Sequence, residues 1–169
     1  SVFSIALPVK IPPENNETIG EIADKDKRNV VFRAGFTAPD AKVLIVDDTL
    51  TNLLVIRELL KETKVIVKTA KSGQECIDLV TSEHFDLVFL DHKMPGMDGV
   101  ETFSRMRHLE GNAGKVPVIM LTANVGPESR EYYITRNFTD FLPKPVSGES
   151  IVGMLYKYLP ETLIKKNEK

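Results

Sequence analysis

The sequence predicts an α/β fold, a doubly wound and mostly parallel sheet with helices on both faces. Three observations carry this. Apolar runs at residues 43–47, 85–90 and 116–121 are nearly unbroken, as strands buried on both faces are. Each run ends on a polar residue, Asp47, Asp91 or Thr122. Segments with apolar residues at helical spacing alternate with the strand-like ones, giving five of each.

The elements follow in order. Residues 43–47 form the first strand, and 51–61 a helix with Val55, Ile56, Leu59 and Leu60 on its inner stripe. Residues 64–70 are β-branched and strand-like. Residues 73–82 make a helix with Cys76, Leu79 and Val80 inward. The run 85–90, closed by Asp91, is the third strand. Residues 98–109 are helical, with Val100, Phe103 and Met106 at three-residue spacing. The fourth strand is 116–121. Pro127 suits the first position of a helix over 127–136, and Asn137 can take the left-handed conformation that stops it. Residues 140–142 form a short strand. Ser147 caps a last helix with Ile151, Met154, Leu155, Tyr158 and Leu159 as its stripe.

Outside this unit, which the pattern bounds at 41–160, the texture differs. Residues 1–10 alternate and are β-prone, while 11–40 read as linker, with Pro12, Pro13 and the charge run 24–28. Residues 161–169 read as a charged, frayed tail. A length of 169 residues suits one ordinary domain with extensions. Twenty-two basic residues against 24 acidic ones leave a net charge of −2, which gives no electrostatic case for nucleic acid. The single cysteine, Cys76, excludes an internal disulfide and fits a reducing compartment. No apolar run approaches the roughly 20 residues of a membrane span, so the expected location is cytoplasmic, without membrane contact.

Open parallel sheets bind ligands beyond the carboxyl ends of their strands. The polar residues expected there are Asp47, Asp48, Asp91, Thr122 and Lys144. Carboxylates about 5 Å apart repel by roughly 3 kcal/mol per pair at an effective dielectric of about 20, so a cation is expected among them. Oxygen ligands without histidine or cysteine favour Mg²⁺, with Mn²⁺ the alternative. Mg²⁺ commonly completes its shell with phosphate oxygens, and a carboxylate can act as nucleophile toward a phosphoryl group. Lys144 would then neutralise the incoming oxygens and Thr122 donate a hydrogen bond.

The motifs VLIVDD at 43–48 with Asn52, DHKMPGMDG at 91–99, LTA at 121–123 and FLPKP at 141–145 resemble the receiver domain of two-component response regulators. The resemblance implies a flavodoxin-like five-stranded sheet in the order 2-1-3-4-5 with five helices. It also implies phosphorelay signalling: Asp91 accepts a phosphoryl group from phosphohistidine, on a histidine kinase domain or a histidine phosphotransfer protein. By motif position it makes Asp47, Asp48, Asp91 and the backbone carbonyl of Lys93 the metal ligands. Thr122 and Phe141 become switch residues, Lys144 the phosphate-pairing lysine, and Lys144-Pro145 a cis peptide. A homodimer through the fourth helix, fifth strand and fifth helix is a further implied partner. FTAPDAKVLIVDD, the histidine in DHKMPGMDG and the closing LP resemble receivers of hybrid sensor histidine kinases, and SVFSIALPVK resembles the last strand of a kinase ATP-binding domain. A parent of that kind is an enzyme, and it can be membrane-anchored. The chain itself, lacking an ATP lid and a phosphorylatable histidine helix, is expected to catalyse only its own phosphoryl transfer.

Other residues receive plainer readings. Asn52 is expected to orient the acidic loop, and Lys93 and Asn124 to tune the lifetime of the acyl phosphate. Phe141 carries no hydroxyl, so any inward swing would be driven by packing. His92 is expected to point away as a loop side chain, and Cys76 to be a small core hydrophobe. Competing readings are an aspartyl phosphatase, which would want a carboxylate where Lys93 stands, and a phosphorylation-independent pseudo-receiver that acts by binding alone.

Overall fold

A computed structural model describes residues 34–124 and 126–166. The strand expected over 1–10, most of the linker including the charge run 24–28, and residues 167–169 lie outside the described residues. Strands and helices appear in the order β1 (Phe36–Thr37), β2 (Lys42–Val46), α1 (Leu50–Leu60), β3 (Ile66–Ala70), α2 (Gly73–Ser82), β4 (Leu87–Asp91), α3 (Gly99–Arg107), β5 (Val118–Thr122), α4 (Pro127–Thr135), β6 (Asp140–Pro143), α5 (Gly148–Tyr158) and β7 (Lys165–Lys166). The 3₁₀ turns Lys61–Thr63 and Glu161–Leu163 follow α1 and α5. The five long strands form one sheet in the order β3-β2-β4-β5-β6, every pairing parallel. Counted from β2, that is the expected order 2-1-3-4-5.

Because successive strand residues face opposite sides, the apolar runs feed two cores. Val43, Ile45, Phe89, Ile119 and Leu121 point toward α1 and α5, meeting Leu53, Ile56, Ile151 and Leu155. Leu44, Val46, Val88, Leu90 and Met120 point the other way, meeting Cys76, Val80, Phe103 and Met106. All residues of β4 and β5 are buried, Asp91 and Thr122 included. An apolar run that ends in a polar residue therefore delivers that residue to the rim while the sheet holds its backbone.

Helix ends match their sequence signals. Ser72, Asp98 and Ser147 accept from the amides of Glu75, Glu101 and Ser150, satisfying first-turn donors. Asn137 has φ 60° and ends α4, with the Phe138 amide donating to the Tyr133 carbonyl at 3.1 Å. The Lys144-Pro145 peptide is cis.

Two expectations are corrected. Val55 does not lie on the inner stripe of α1; it is half exposed, and Leu53 takes the buried place. Packing against the sheet selects Leu53, Ile56 and Leu60 as the buried face of the helix, which begins at Leu50. The folded unit also extends beyond 41–160. Ala34, Phe36 and Ala38 are buried, and β1 pairs antiparallel with β7 in the register Phe36↔Lys166 and Thr37↔Lys165. Alternating small and large apolar residues supply a one-sided strand face there, and the Phe36 ring sits 5.3 Å from that of Tyr156. Pairing with β1 and the Lys165–Asp40 ion pair at 3.2 Å tie Lys165 and Lys166 to this segment.

Candidate functional site

The carboxyl ends of β2, β4, β5 and β6 bring the expected rim together. Asp47 follows β2 and is fully buried. One of its oxygens accepts from the Thr49 amide at 2.8 Å, and both accept from the Asn52 side chain at 3.0 and 3.1 Å. Asn52, in the first turn of α1, thus holds the Asp47 carboxylate in place. Lys144, just past β6, is placed by its amide, which donates to the Thr122 carbonyl at 2.8 Å. Its ammonium stands 2.8 Å from both Asp47 and Asp91. Asp48 is exposed beside them, and oxygens of Asp47, Asp48 and Asp91 lie within 4.8 Å of one another.

One ammonium is shared between two buried carboxylates. Burial pushes the Asp91 carboxyl above the ordinary aspartate value; Lys144 and the Lys93 amide pull it down, and the Asp47 charge pushes it up again. Burial works against the Lys144 charge, yet its bonds to Asp47 and Asp91 leave it above the ordinary lysine value. Lys144 is therefore a fixed cation shared by Asp47 and Asp91. This donor set, three carboxylates with excess negative charge and no nitrogen or sulfur ligand, fits a hard divalent cation such as Mg²⁺.

A pH dependence follows. Because the folded Asp91 carboxyl titrates higher than the unfolded one, the native state holds an extra proton between the two values, so stability falls as pH rises through that window. The window opens near the ordinary aspartate value of about 3.9. In chelator, urea unfolding of the wild type is expected to lose stability from about pH 4 upward relative to Asp91→Asn. Parallel pH profiles for the two proteins would refute it. The Lys144 contribution lies in a separate alkaline window, present below the unfolded lysine value and lost as pH rises through the higher folded one.

Thr122 is buried at the end of β5, and its hydroxyl accepts from the Asn124 amide at 3.1 Å. Asn124 itself is exposed, as is the side chain of Lys93. Phe141 is half-buried on β6, its ring 5.4 Å from that of Tyr133. His92 departs from expectation. It turns from the carboxylates, but onto α4 and not free in a loop: Nδ1 stands 2.7 Å from the Tyr133 hydroxyl, and the ring packs against Tyr132 and Tyr133. Sequence reasoning missed Tyr133, a fully buried aromatic on α4. Its helix has no clear apolar stripe, so no periodic signal singles out which of the two adjacent tyrosines turns inward.

Comparison with known proteins agrees with this geometry. Residues 43–156 match the family described as the response regulator receiver domain. The chain is 32% identical over 119 residues to the sensor protein GacS of Pseudomonas syringae pv. syringae, covering 69% of this chain and 13% of that protein. It is 35% identical over 123 residues to sporulation initiation phosphotransferase F of Bacillus subtilis strain 168, covering 70% of this chain and 94% of that protein. Among solved structures, it resembles the receiver domain of the sensor histidine kinase PA1611 from Pseudomonas aeruginosa PAO1, solved with a magnesium ion coordinated in its active-site cleft. That match has a TM-score of 0.63 at 26% identity, over 70% of this chain and 96% of the other. The chain spans only 13% of the length of GacS. With four motifs converging on one rim, a matching sheet order and a family match over two-thirds of its length, the chain belongs to the response regulator receiver domain family.

Proposed function

We propose that the domain works in phosphorelay signalling by accepting a phosphoryl group on Asp91 from a phosphohistidine and changing its partner surface in response. The observation that carries this is the pairing of one half-buried lysine, Lys144, with two buried rim carboxylates, Asp47 and Asp91, at 2.8 Å each. An Asp91 carboxylate oxygen attacks phosphorus, a P–O bond forms, and the P–N bond of the donor breaks. The imidazole keeps the bonding electrons and takes its proton from solvent. Lys144 meets the incoming oxygens with positive charge, and Thr122 offers them a hydroxyl proton. Asp47, Asp48, Asp91 and the Lys93 backbone carbonyl would hold Mg²⁺, with Mn²⁺ as substitute. When bound, that ion supplies neutralisation of the phosphoryl oxygens.

Asn52 keeps Asp47 aimed at the site, while Lys93 and Asn124, both exposed at its mouth, govern the access of water to the acyl phosphate. Thr122 and Phe141 form the switch. The donor surface is the exposed apolar part of α1, Leu50, Leu54 and Val55, which continues into a groove lined by Ile56, Pro145 and Val146 beside Lys144. A phosphohistidine helix from a kinase or a phosphotransfer protein fits there, because the apolar face adjoins the acceptor. Exposed Tyr132 and Ile134 on α4 offer a second face for a homodimer through α4, β6 and α5. Likeness to GacS supports a parent hybrid sensor kinase, in which this receiver is an intermediate stop for phosphate and catalyses no reaction but its own loading. No described helix is long and apolar enough to cross a membrane, and the functional reading places the domain on the cytoplasmic side.

Incubation with Mg²⁺ and acetyl phosphate tests this by intact-protein mass. One added phosphoryl group is expected, absent in Asp91→Asn and in chelator. Steady release of phosphate from esters would instead indicate a phosphatase, and no incorporation a binding module.

A further inference from the structure

Phosphoryl acceptance does not call for the two ends of this domain, yet the structure joins them. Phe36 and Thr37 pair antiparallel with Lys166 and Lys165, and both segments lie outside residues 43–156, the span shared with the family. The junction sits at the edge of the sheet away from Asp91. The Ala38 amide donates to the Thr63 carbonyl at 2.7 Å, just past the end of α1, and the Ile66 amide, at the start of β3, donates to the Ala41 carbonyl at 2.8 Å. With β2, β3 and β4 parallel, these amino ends lie opposite the carboxyl ends that carry Asp47 and Asp91.

The forces at the junction are unequal. Two residue pairs are too little to hold a two-stranded ribbon in water. The Lys165–Asp40 ion pair is exposed on both sides, where such pairs contribute little. What remains is apolar burial. Phe36 is only 4% exposed and Ala38 is fully buried, in one cluster with Leu60 and Leu159. Leu163 and Ile164 pack against that cluster from the tail, and the Phe36 ring lies 5.3 Å from that of Tyr156 on α5. A 3₁₀ turn sets the tail in place, with the Leu163 and Ile164 amides donating to the Pro160 and Glu161 carbonyls at 2.9 and 3.1 Å.

We propose that residues 34–38 are a releasable strap that fastens the entering chain to the ends of α1 and α5, with residues 161–166 as its keeper. The chain is then tethered to the domain at Ala34 and not at Lys42, where the sheet begins. The reach of a tether sets the effective concentration of whatever is attached to it, so the strap fixes both the point of attachment and the length left free. Opening it costs the burial of Phe36 and two ribbon pairs, and leaves the five-stranded sheet and the acceptor rim in place. Local opening of this kind, well below the cost of global unfolding, belongs to segments with few buried contacts.

Native-state amide exchange tests this on the full chain, on a variant ending at Pro160, on Phe36→Ala and on Asp40→Asn. The probe is the Ala38 amide, whose bond to Thr63 reports the closed strap, and the reference is the set of β4 amides in the buried sheet. Ending the chain at Pro160 is expected to speed Ala38 exchange by about tenfold or more, while β4 exchange changes by less than about twofold. Phe36→Ala is expected to do the same from the other side of the junction. Asp40→Asn is expected to alter Ala38 exchange by less than about twofold, because the ion pair contributes little. Unchanged Ala38 exchange in the shortened chain overturns the keeper. Equal acceleration at Ala38 and in β4 overturns the strap as well, since the ends would then serve global stability alone. If the shortened chain does not fold, Phe36→Ala decides on the same amides: acceleration at Ala38 alone supports the strap, and any other pattern overturns it.

Discussion

Replacing Lys144 with methionine is expected to lower the thermal midpoint by roughly 10 °C without divalent cation, and to let Mg²⁺ recover much of the loss. Methionine retains the aliphatic stem, so the change isolates the charge. Asp47 is fully buried, and Lys144 is its only cation among the described residues. Removing one partner of a buried ion pair strands the other at a cost of about 3 kcal/mol. Asp47 keeps its bonds from Thr49 and Asn52, which hold the loss near that figure. Asp91 loses its ion pair as well, so repulsion within the trio grows. Mg²⁺ should therefore bind the variant more tightly than wild type, because the competing ammonium is gone. Thermal melts across a Mg²⁺ titration read both effects. Should the deficit stay constant as Mg²⁺ is added, the trio does not hold the metal. Acceptance of phosphate should also slow by about 10²-fold, since a preorganised charge on the phosphoryl oxygens is missing.

The rim was legible because a parallel sheet imposes a simple rule: whatever follows a buried strand arrives at its carboxyl edge. Asp47, Asp91 and Thr122 each break an apolar run, so their placement follows from one-dimensional pattern alone. Lys144 was legible through its motif, and its position depends on an amide bond to Thr122 that no pattern predicts. What stayed hidden was long-range and aromatic. The bond between Tyr133 and His92 spans 41 residues, and two adjacent tyrosines on a helix give no sign of which one is buried. The helix phase of α1 was missed because Leu53, Leu54 and Val55 are all apolar, and only packing against the sheet selects Leu53. Likewise β1 and β7 are two residues each, too short for periodicity to register, and become strands only by pairing across the ends of the domain.

Gly99 carries the second large effect, and its reason is space and not backbone angle. A methyl group there would stand 2.2 Å from the Asp91 carbonyl oxygen and 3.0 Å from His92 Cα. Both are backbone atoms of the acceptor segment, so no side chain can rotate away to make room. The Gly99 amide also donates to the His92 carbonyl at 2.9 Å, tying the first residue of α3 to the end of β4. Gly99→Ala must therefore move α3 outward or displace Asp91. Forcing an extra carbon into such a contact costs about 3 kcal/mol, visible as a large drop in the urea midpoint. A shift of about 1 Å in a reacting group can slow chemistry by about 10²-fold, and Asp91 lies next to the clash. Gly96 provides the control. Its φ is 78° but nothing lies within 4 Å of its side-chain position, so Gly96→Ala carries only the left-handed backbone cost of about 1–2 kcal/mol. Acetyl phosphate loading followed over time should then separate the two variants: similar to wild type for Gly96→Ala, slowed by about two orders of magnitude for Gly99→Ala. Equal loading rates would mean that α3 yields and Asp91 stays in place, so that the close approach of Gly99 serves packing alone.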